Sequence, residues 1–425
     1  MLAPLRRSAS LAGMPLVLAV TPLVAQHAPD ASWAVGAQAV GMVTHADPAH
    51  LGEARTEGSI TQPALMGHWA PPGGWLRLTG TLNLEAFTLR DGELNPGIAG
   101  EGFVDRRHPH TFVHELIATA SVAPAGWALS LSAGKGFVAF GTDDPMSRPF
   151  VKYPANHHLA QILERLVAVA GVRRGAVILE GTLFNGDEPT GVWSWPEASR
   201  FGDSWAARLT VRPAAGLELS GSLADVASPE QPAGGGFDQR KRSLAARWAR
   251  ADAGGPRHYA LVEWARTDDV DDGHRAFSFE SALVEGMTRI GPVDVAARWE
   301  RTERPEEERT ADPFRSPRPH PDLNVLGITE WHITTLHVGS RVELPAGVRI
   351  RPFVEAARLR ARALLEPTIF EPAAFYGREW QWSLSLGARV EMGTIHGRMG
   401  RYGVTAAPAS GSSNPRHEHQ HASLP

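Results

Sequence analysis

The sequence predicts an all-β fold: a single transmembrane antiparallel β-barrel of about sixteen strands, with fourteen or eighteen also open. Three features lead there: a basic, apolar leader, a long series of short segments alternating apolar and polar residues, and no long apolar helix. In lipid such a sheet survives only if it closes on itself, because hydrocarbon offers no partner to an open edge.

The leader begins Met1-Leu2-Ala3-Pro4-Leu5-Arg6-Arg7, continues apolar from Leu11 to Val24, and offers a small-residue cleavage site at Leu23-Val24-Ala25. That is the pattern of a secretory signal peptide over 1–25. The expected organisation is a barrel over 26–399 and a disordered, His-containing tail over 400–425. About 25 residues per strand and turn suit spans of roughly 9–11 residues joined by unequal loops. The formal charge of −4 makes no case for nucleic acid, and 42 basic and 46 acidic residues belong in the lumen, rims and loops of a barrel. With no cysteine, disulfides and thiolate metal sites are excluded. Thirteen Trp against four Tyr suit membrane interfaces, although Trp also fills soluble cores.

Strands are expected near 33–44, 58–69, 74–89, 111–122, 125–138, 159–171, 175–184, 203–213, 216–226, 240–250, 257–267, 274–286, 292–302, 325–338, 348–360 and 379–391. The last is the clearest: Trp380, Trp382, Leu384, Leu386, Ala388 and Val390 share one face, and Gln381, Ser383, Ser385, Gly387, Arg389 and Glu391 the other. Glu85, Arg208 and Arg298 fall on the polar faces of three other segments. Turns at 71–74, 123–126, 213–216 and 345–347 are rich in Pro and Gly and read as tight ends on one side. Longer polar stretches at 90–110, 140–157, 185–202, 226–239, 303–324 and 361–378 read as loops at the other. The segment from His158 to Ala168 dissents, because its composition and three- and four-residue apolar spacing favour a helix or a plug element.

The densest chemical signal is Asp105-Arg106-Arg107-His108-Pro109-His110-Thr111-Phe112-Val113-His114-Glu115. Imidazoles and a carboxylate suit Cu or Zn, so His108, His110, His114, Glu115, His157 and His158 are candidate ligands. His114 and Glu115 face opposite sides of a regular strand and share a site only across a bulge. The competing reading is a buried hydrogen-bonded network that packs a loop into the lumen. The block around Asp143-Asp144 and Asn156-His157-His158 lies outside the clear strands and could fold inward to narrow a channel.

Three blocks, Asp105-Arg106-Arg107-His108-Pro109-His110, Asn156-His157-His158 and Phe184-Asn185-Gly186-Asp187-Glu188-Pro189, resemble those of a family of exported β-barrel proteins met beside bacterial copper and heavy-metal handling genes. The resemblance covers about 101–230, departs at Arg107 and His114 where that family usually has Gln and Met, and implies a barrel fold without a named mechanism.

The leading functional expectation is a non-enzymatic, porin-like channel in the outer membrane, with lipid and small solutes or ions as partners, no cofactor, and a homo-oligomer as an open possibility. A Cu- or Zn-binding barrel is the first alternative. A barrel hydrolase using His110 and Glu115 is the second, although no G-x-S-x-G or H-E-x-x-H motif is present. An even strand number returns the chain to its starting side, so both ends should share the periplasmic face with the short turns, and 105–110 and 143–158 should lie at the extracellular mouth.

Overall fold

The computed structural model describes residues 32–48, 52–88, 110–189, 191–252, 255–307, 325–364 and 371–406. The expected leader 1–25, His108 and the end of the tail lie outside them. Sixteen barrel strands run in chain order: Ser32–Asp47 (β1), Arg55–Ala70 (β2), Leu76–Asn83 (β3), Val113–Val122 (β4), Trp127–Gly136 (β5), Arg165–Arg174 (β6), Val177–Phe184 (β7) and Ser204–Ala214 (β8). They continue with Leu217–Val226 (β9), Asp238–Asp252 (β10), Gly255–Asp271 (β11), His274–Ile290 (β12), Val293–Glu307 (β13), Val325–Ser340 (β14), Val348–Ala363 (β15) and Trp380–Gly393 (β16). A two-residue strand, Val342–Glu343, folds back on β15 inside the turn that follows β14. Each strand pairs antiparallel with the next, and β1 pairs antiparallel with β16 from Gly36↔Gly393 to Asp47↔Trp382, which closes the sheet.

The pleat sorts residues by chemistry, inside out relative to a soluble protein. On β16, Gln381, Ser383, Ser385, Arg389 and Glu391 are buried, while Trp380, Trp382, Leu384, Leu386 and Val390 are exposed. Register carries the pattern around the wall. Val295, Val338, Val354, Leu386 and Val43 form one outward row across five strands, and Ala297, Leu336, Ala356, Leu384 and His45 the row next to it. An apolar exterior around a hydrogen-bonded polar interior is the arrangement of an outer-membrane barrel.

Turn chemistry sets the ends. Gly74 N donates to Pro71 O at 3.1 Å with Gly73 at φ +89°, so Pro and Gly occupy the positions a type II turn demands. Turns 71–74, 123–126, 213–216 and 345–347 all connect an even-numbered strand to the next, so they share one side, as do the two strand termini Ser32 and Gly393. The opposite side carries the long connections, with one departure: Asp272 and Gly273, both at positive φ, make a two-residue hairpin between β11 and β12.

Three expectations change. The strand expected over 74–89 stops at Asn83, whose side-chain carbonyl accepts from Glu85 N at 2.8 Å and starts a short helix, Glu85–Thr88 (α1). The strand expected over 159–171 begins only at Arg165, and the helix-prone residues before it form one turn, His157–Ala160 (α2). The chain does not leave the barrel at residue 400, because Arg401, Tyr402, Val404 and Thr405 are buried.

Leu386, 63% exposed, lies in the apolar row with Val338 and Val354. Leu386→Arg should destabilise the folded barrel in vesicles by about 2–4 kcal/mol, the cost of a charge facing mid-depth hydrocarbon. Urea titration of tryptophan emission reads it, and an unchanged midpoint would contradict the assignment of this face to lipid.

Candidate functional site: a lumen filled from both ends

The connection 137–164 between β5 and β6 does not cap the barrel; it folds into it. Phe137 to Phe140, Met146, Phe150 and Val151 are buried. The loop's backbone is hydrogen-bonded to the polar inner faces of strands around the wall. Ala139 N donates to Thr182 Oγ1 (3.1 Å), Gly141 N to Ser222 Oγ (2.9 Å), and Val151 N and Lys152 N to the Glu355 carboxylate (3.1 and 3.2 Å). Ala155 N donates to Glu300 (2.6 Å), and Arg298 and Lys241 donate to the carbonyls of Lys152 and His158 (both 3.0 Å). Side chains add to this: Thr142 bonds Glu263, Asn156 Nδ2 donates to Glu263 (2.9 Å), and Lys152 Nζ to Ser383 (2.6 Å). Segment 143–158 therefore belongs to the long-loop side by connectivity, yet it lies buried in the lumen and not at the open mouth expected for it.

The histidine block meets this loop as a network. The register between β3 and β4 slips between Thr81↔Glu115 and Leu82↔Val113, so His114 is the extra residue of a bulge. That is why His114 and Glu115, neighbours in sequence, are both buried. His114 Nδ1 bonds Glu164 at 2.7 Å, and its Nε2 lies 3.9 Å from Asp144. His110 Nδ1 bonds Glu85 at 3.0 Å, and its ring meets His114 edge-on with centroids 5.1 Å apart. Glu115 accepts from Thr81 at 3.1 Å. Tyr153 stands between His110 and His157, its ring centroid 5.7 and 5.5 Å from theirs, and the His157 and His158 rings lie 4.2 Å apart, tilted by 54°.

Among the described residues no three His, Asp or Glu side chains come together as a metal site. His110 and His158 share only a cavity of about 30 Å³, room for about one water. Among the described residues the candidate ligands His110, His114, Glu115, His157 and His158 do not form such a set, and His108 lies outside those residues. The hydrolase pair does not assemble either: His110 is engaged with Glu85, and Glu115 with Thr81, inside the lumen and not at the rim.

A second element enters from the opposite end. After β16 the chain turns at Gly393 and crosses the short-turn mouth toward β5–β9. Arg398 forks onto Asp143 (2.7 and 2.8 Å) and reaches Glu218 (2.7 Å), and Arg401 Nε reaches Asp143 at 2.9 Å. Tyr402 Oη accepts from Phe137 N (3.0 Å), Thr405 Oγ1 donates to Glu180 (3.3 Å), and Val404 N to Ser130 Oγ (3.2 Å). Met399 and Tyr402 join Phe137, Val138 and Phe140 in one apolar cluster. Strap and loop are thus clasped through Asp143. Burial would raise that carboxyl, but Arg398, Arg401 and Arg247 hold it well below the usual carboxylate range.

Beside the clasp, along the inner faces of β10–β16, an open cavity of about 550 Å³ remains at the short-turn mouth. Seven arginines line it (Arg148, Arg247, Arg289, Arg341, Arg349, Arg351 and Arg389), against Asp294, Glu343 and Glu391. Arg389 also donates to the carbonyl of Met146 at 3.2 Å, so one wall of the cavity is the inward loop itself.

Two residues that hold this arrangement escaped the sequence reading, and both sit at positive φ. Gln62 (φ +53°) donates to Val151 O at 2.9 Å and accepts from Arg389 at 3.2 Å. Glu164 (φ +62°) accepts from Thr111 N at 2.8 Å and from His114. Such conformations persist only where tertiary contacts enforce them, and no local pattern announces them. The strap had a faint signal: Arg398 and Arg401 follow the last strand in a chain whose inward loop carries Asp143-Asp144.

The Glu85–His110 pair yields a pH test. Burial would raise Glu85, but His110 and the donors Gln62 N and Thr61 Oγ1 bring it down from 4.5 to about 2. Burial would lower His110, but the bond to Glu85 and its charge raise it from 6.5 to about 9. A depressed carboxyl stabilises above its unfolded value and loses that effect as pH falls through 4.5 toward 2; a raised imidazole stabilises fully below 6.5 and loses that effect as pH rises toward 9. The pair is therefore strongest between about pH 4.5 and 6.5. The urea midpoint should decline from pH 6.5 to 9 in the parent and do so less in His110→Ala; identical alkaline limbs would refute the pairing.

No family model and no curated protein matches the chain. Solved structures do match in shape. An anion-selective porin from Comamonas acidovorans aligns with TM-score 0.50 and 11% identity over 85% of this chain and 100% of that one. OmpT, an outer membrane protein of Vibrio cholerae in its trimer form, aligns with TM-score 0.47 and 8% identity over 86% and 100%. At such identity the likeness to the first is one of fold: the chain has the sixteen-stranded barrel of porins.

Proposed function

We propose that this protein is a porin-like channel of the bacterial outer membrane that admits small hydrophilic solutes and favours anions. In this reading residues 1–25 are the export leader, the short-turn mouth faces the periplasm, and no catalysis is involved. The observation that carries it is the arginine-lined cavity of about 550 Å³ beside the inward loop. Seven guanidinium groups against three carboxylates leave a positive excess, and low-dielectric walls focus that field on an entering ion. The arginines are partly engaged, as where Arg349 and Arg351 share Glu391 at 2.9 and 3.0 Å, so the cavity attracts anions without holding them irreversibly. The selectivity of the Comamonas acidovorans barrel, which shares the fold, agrees with this reading.

Planar-bilayer recording across a KCl gradient tests it. The folded protein should give discrete channels with a zero-current potential of the sign for chloride preference. Arg349→Gln with Arg351→Gln leaves Glu391 without these partners and should move that potential toward cations. Absence of channels from correctly folded protein, or cation preference in the parent, would refute the proposal.

A further inference from the structure

The outer wall carries a charged feature that the channel does not use. On β15, Arg358, Arg360 and Arg362 alternate with buried Leu359 and Ala361, so all three point away from the lumen. Register fixes their depth. The outward row just above the apolar band of Ala297, Leu336, Ala356 and Leu384 holds Trp299, Thr334, Arg358 and Trp382. The next holds Arg301, His332, Arg360 and Trp380, and the third Glu303, Glu330 and Arg362. Tryptophans mark the level where hydrocarbon gives way to headgroups. The arginines therefore begin at that boundary and rise above it, on the side of the long loops.

Their local contacts present them for a ligand. The Arg358 and Arg360 guanidinium groups lie 4.0 and 5.3 Å from the Trp380 ring centroid, and the ring holds both. Glu330, only 1% exposed, accepts from Arg301 Nε at 2.6 Å and from Arg362 Nη2 at 2.7 Å. One sunken carboxylate thus sets two guanidinium groups side by side, while the Arg362 side chain stays 63% exposed. Arg360 pairs with Glu379, itself 61% exposed, and such a surface pair is weak enough to yield to a better anion.

We propose that this arginine row binds the phosphate of a lipid headgroup in the outer leaflet, with the acyl chains lying on the apolar column of Leu336, Val338, Val354 and Ala356 below it. Phosphate fits because guanidinium forks grip it with two hydrogen bonds and because it sits at this depth in a bilayer. The inference rests on the reading of the long-loop side as the outer face of the outer membrane, but not on conduction.

Native mass spectrometry of the full-length protein, folded in detergent and titrated with diphosphoryl lipid A, tests it. Arg358→Gln, Arg360→Gln and Arg362→Gln together should weaken binding by about tenfold or more. Arg240→Gln with Arg242→Gln, exposed on β10 at the same end, should leave it unchanged. Gel mobility with and without heating verifies folding, and if the triple variant does not fold, Arg362→Gln alone should still weaken binding several-fold. Equal binding by the folded variant would overturn the proposal. So would complete displacement by inorganic phosphate at equal phosphate concentration, which would mean a site for any phosphate. Bilayer conductance of the same preparations separates the two readings: lipid binding without channels refutes the channel alone, and channels without arginine-dependent binding refute the lipid site alone.

Discussion

The pairing of β1 with β16 is the constraint on which the rest depends. Register runs unbroken from Gly36↔Gly393 to Asp47↔Trp382, and without it two strand edges would stand unpaired in hydrocarbon. Closure also makes the inner face a confined, polar space. Thr44 Oγ1 and Ser385 Oγ meet at 2.8 Å across that seam, one instance of an interior that satisfies itself by hydrogen bonds.

A polar, enclosed wall explains why a loop can enter it. A backbone segment placed among apolar side chains would strand its amides, whereas here Glu300, Glu355, Thr182 and Ser222 receive them. Buried carboxylates of this kind are stabilising only with their partners in place, and removing one partner typically costs about 3–5 kcal/mol. The lumen is thus a coupled set: loop 137–164 rests on the wall, the strap rests on the loop through Asp143, and the arginine cavity is the space the two leave. Occupancy of the other half of the lumen by the strap keeps that space along β10–β16. Function, in this account, follows from what fills the barrel more than from the barrel itself.

The wall was legible in the sequence because its rule is local. Period two with apolar residues outward, as on Trp380 to Val390, and Pro- or Gly-rich turns are written residue by residue, and each of the sixteen expected segments overlaps one observed strand. Errors arose where a tertiary partner overrode the local pattern. Leu84 and Glu85 continue the alternation of β3, but the bond from Glu85 N to the Asn83 side chain and that from Gln62 N to the Glu85 carboxylate turn the chain into α1. Of the expected ligand set, His110, His114 and Glu115 meet in one buried network, and the bulge that lets His114 and Glu115 share one interior is present. Their partners Glu164 and Asp144 come from another loop, which spacing cannot reveal. The strap left only a faint trace for the same reason: its fixed point, Asp143, is 255 residues from Arg398.

Hydrogen exchange of the folded protein, resolved by peptide, tests the filled lumen most directly. The amides of Ala139, Val151, Lys152 and Ala155, bonded to the wall, and of Val404, bonded to Ser130, should exchange on the timescale of the strand amides around them. Complete exchange of 137–164 and 394–406 within seconds, while the strands stay protected, would show that these segments do not pack into the lumen and would contradict the account.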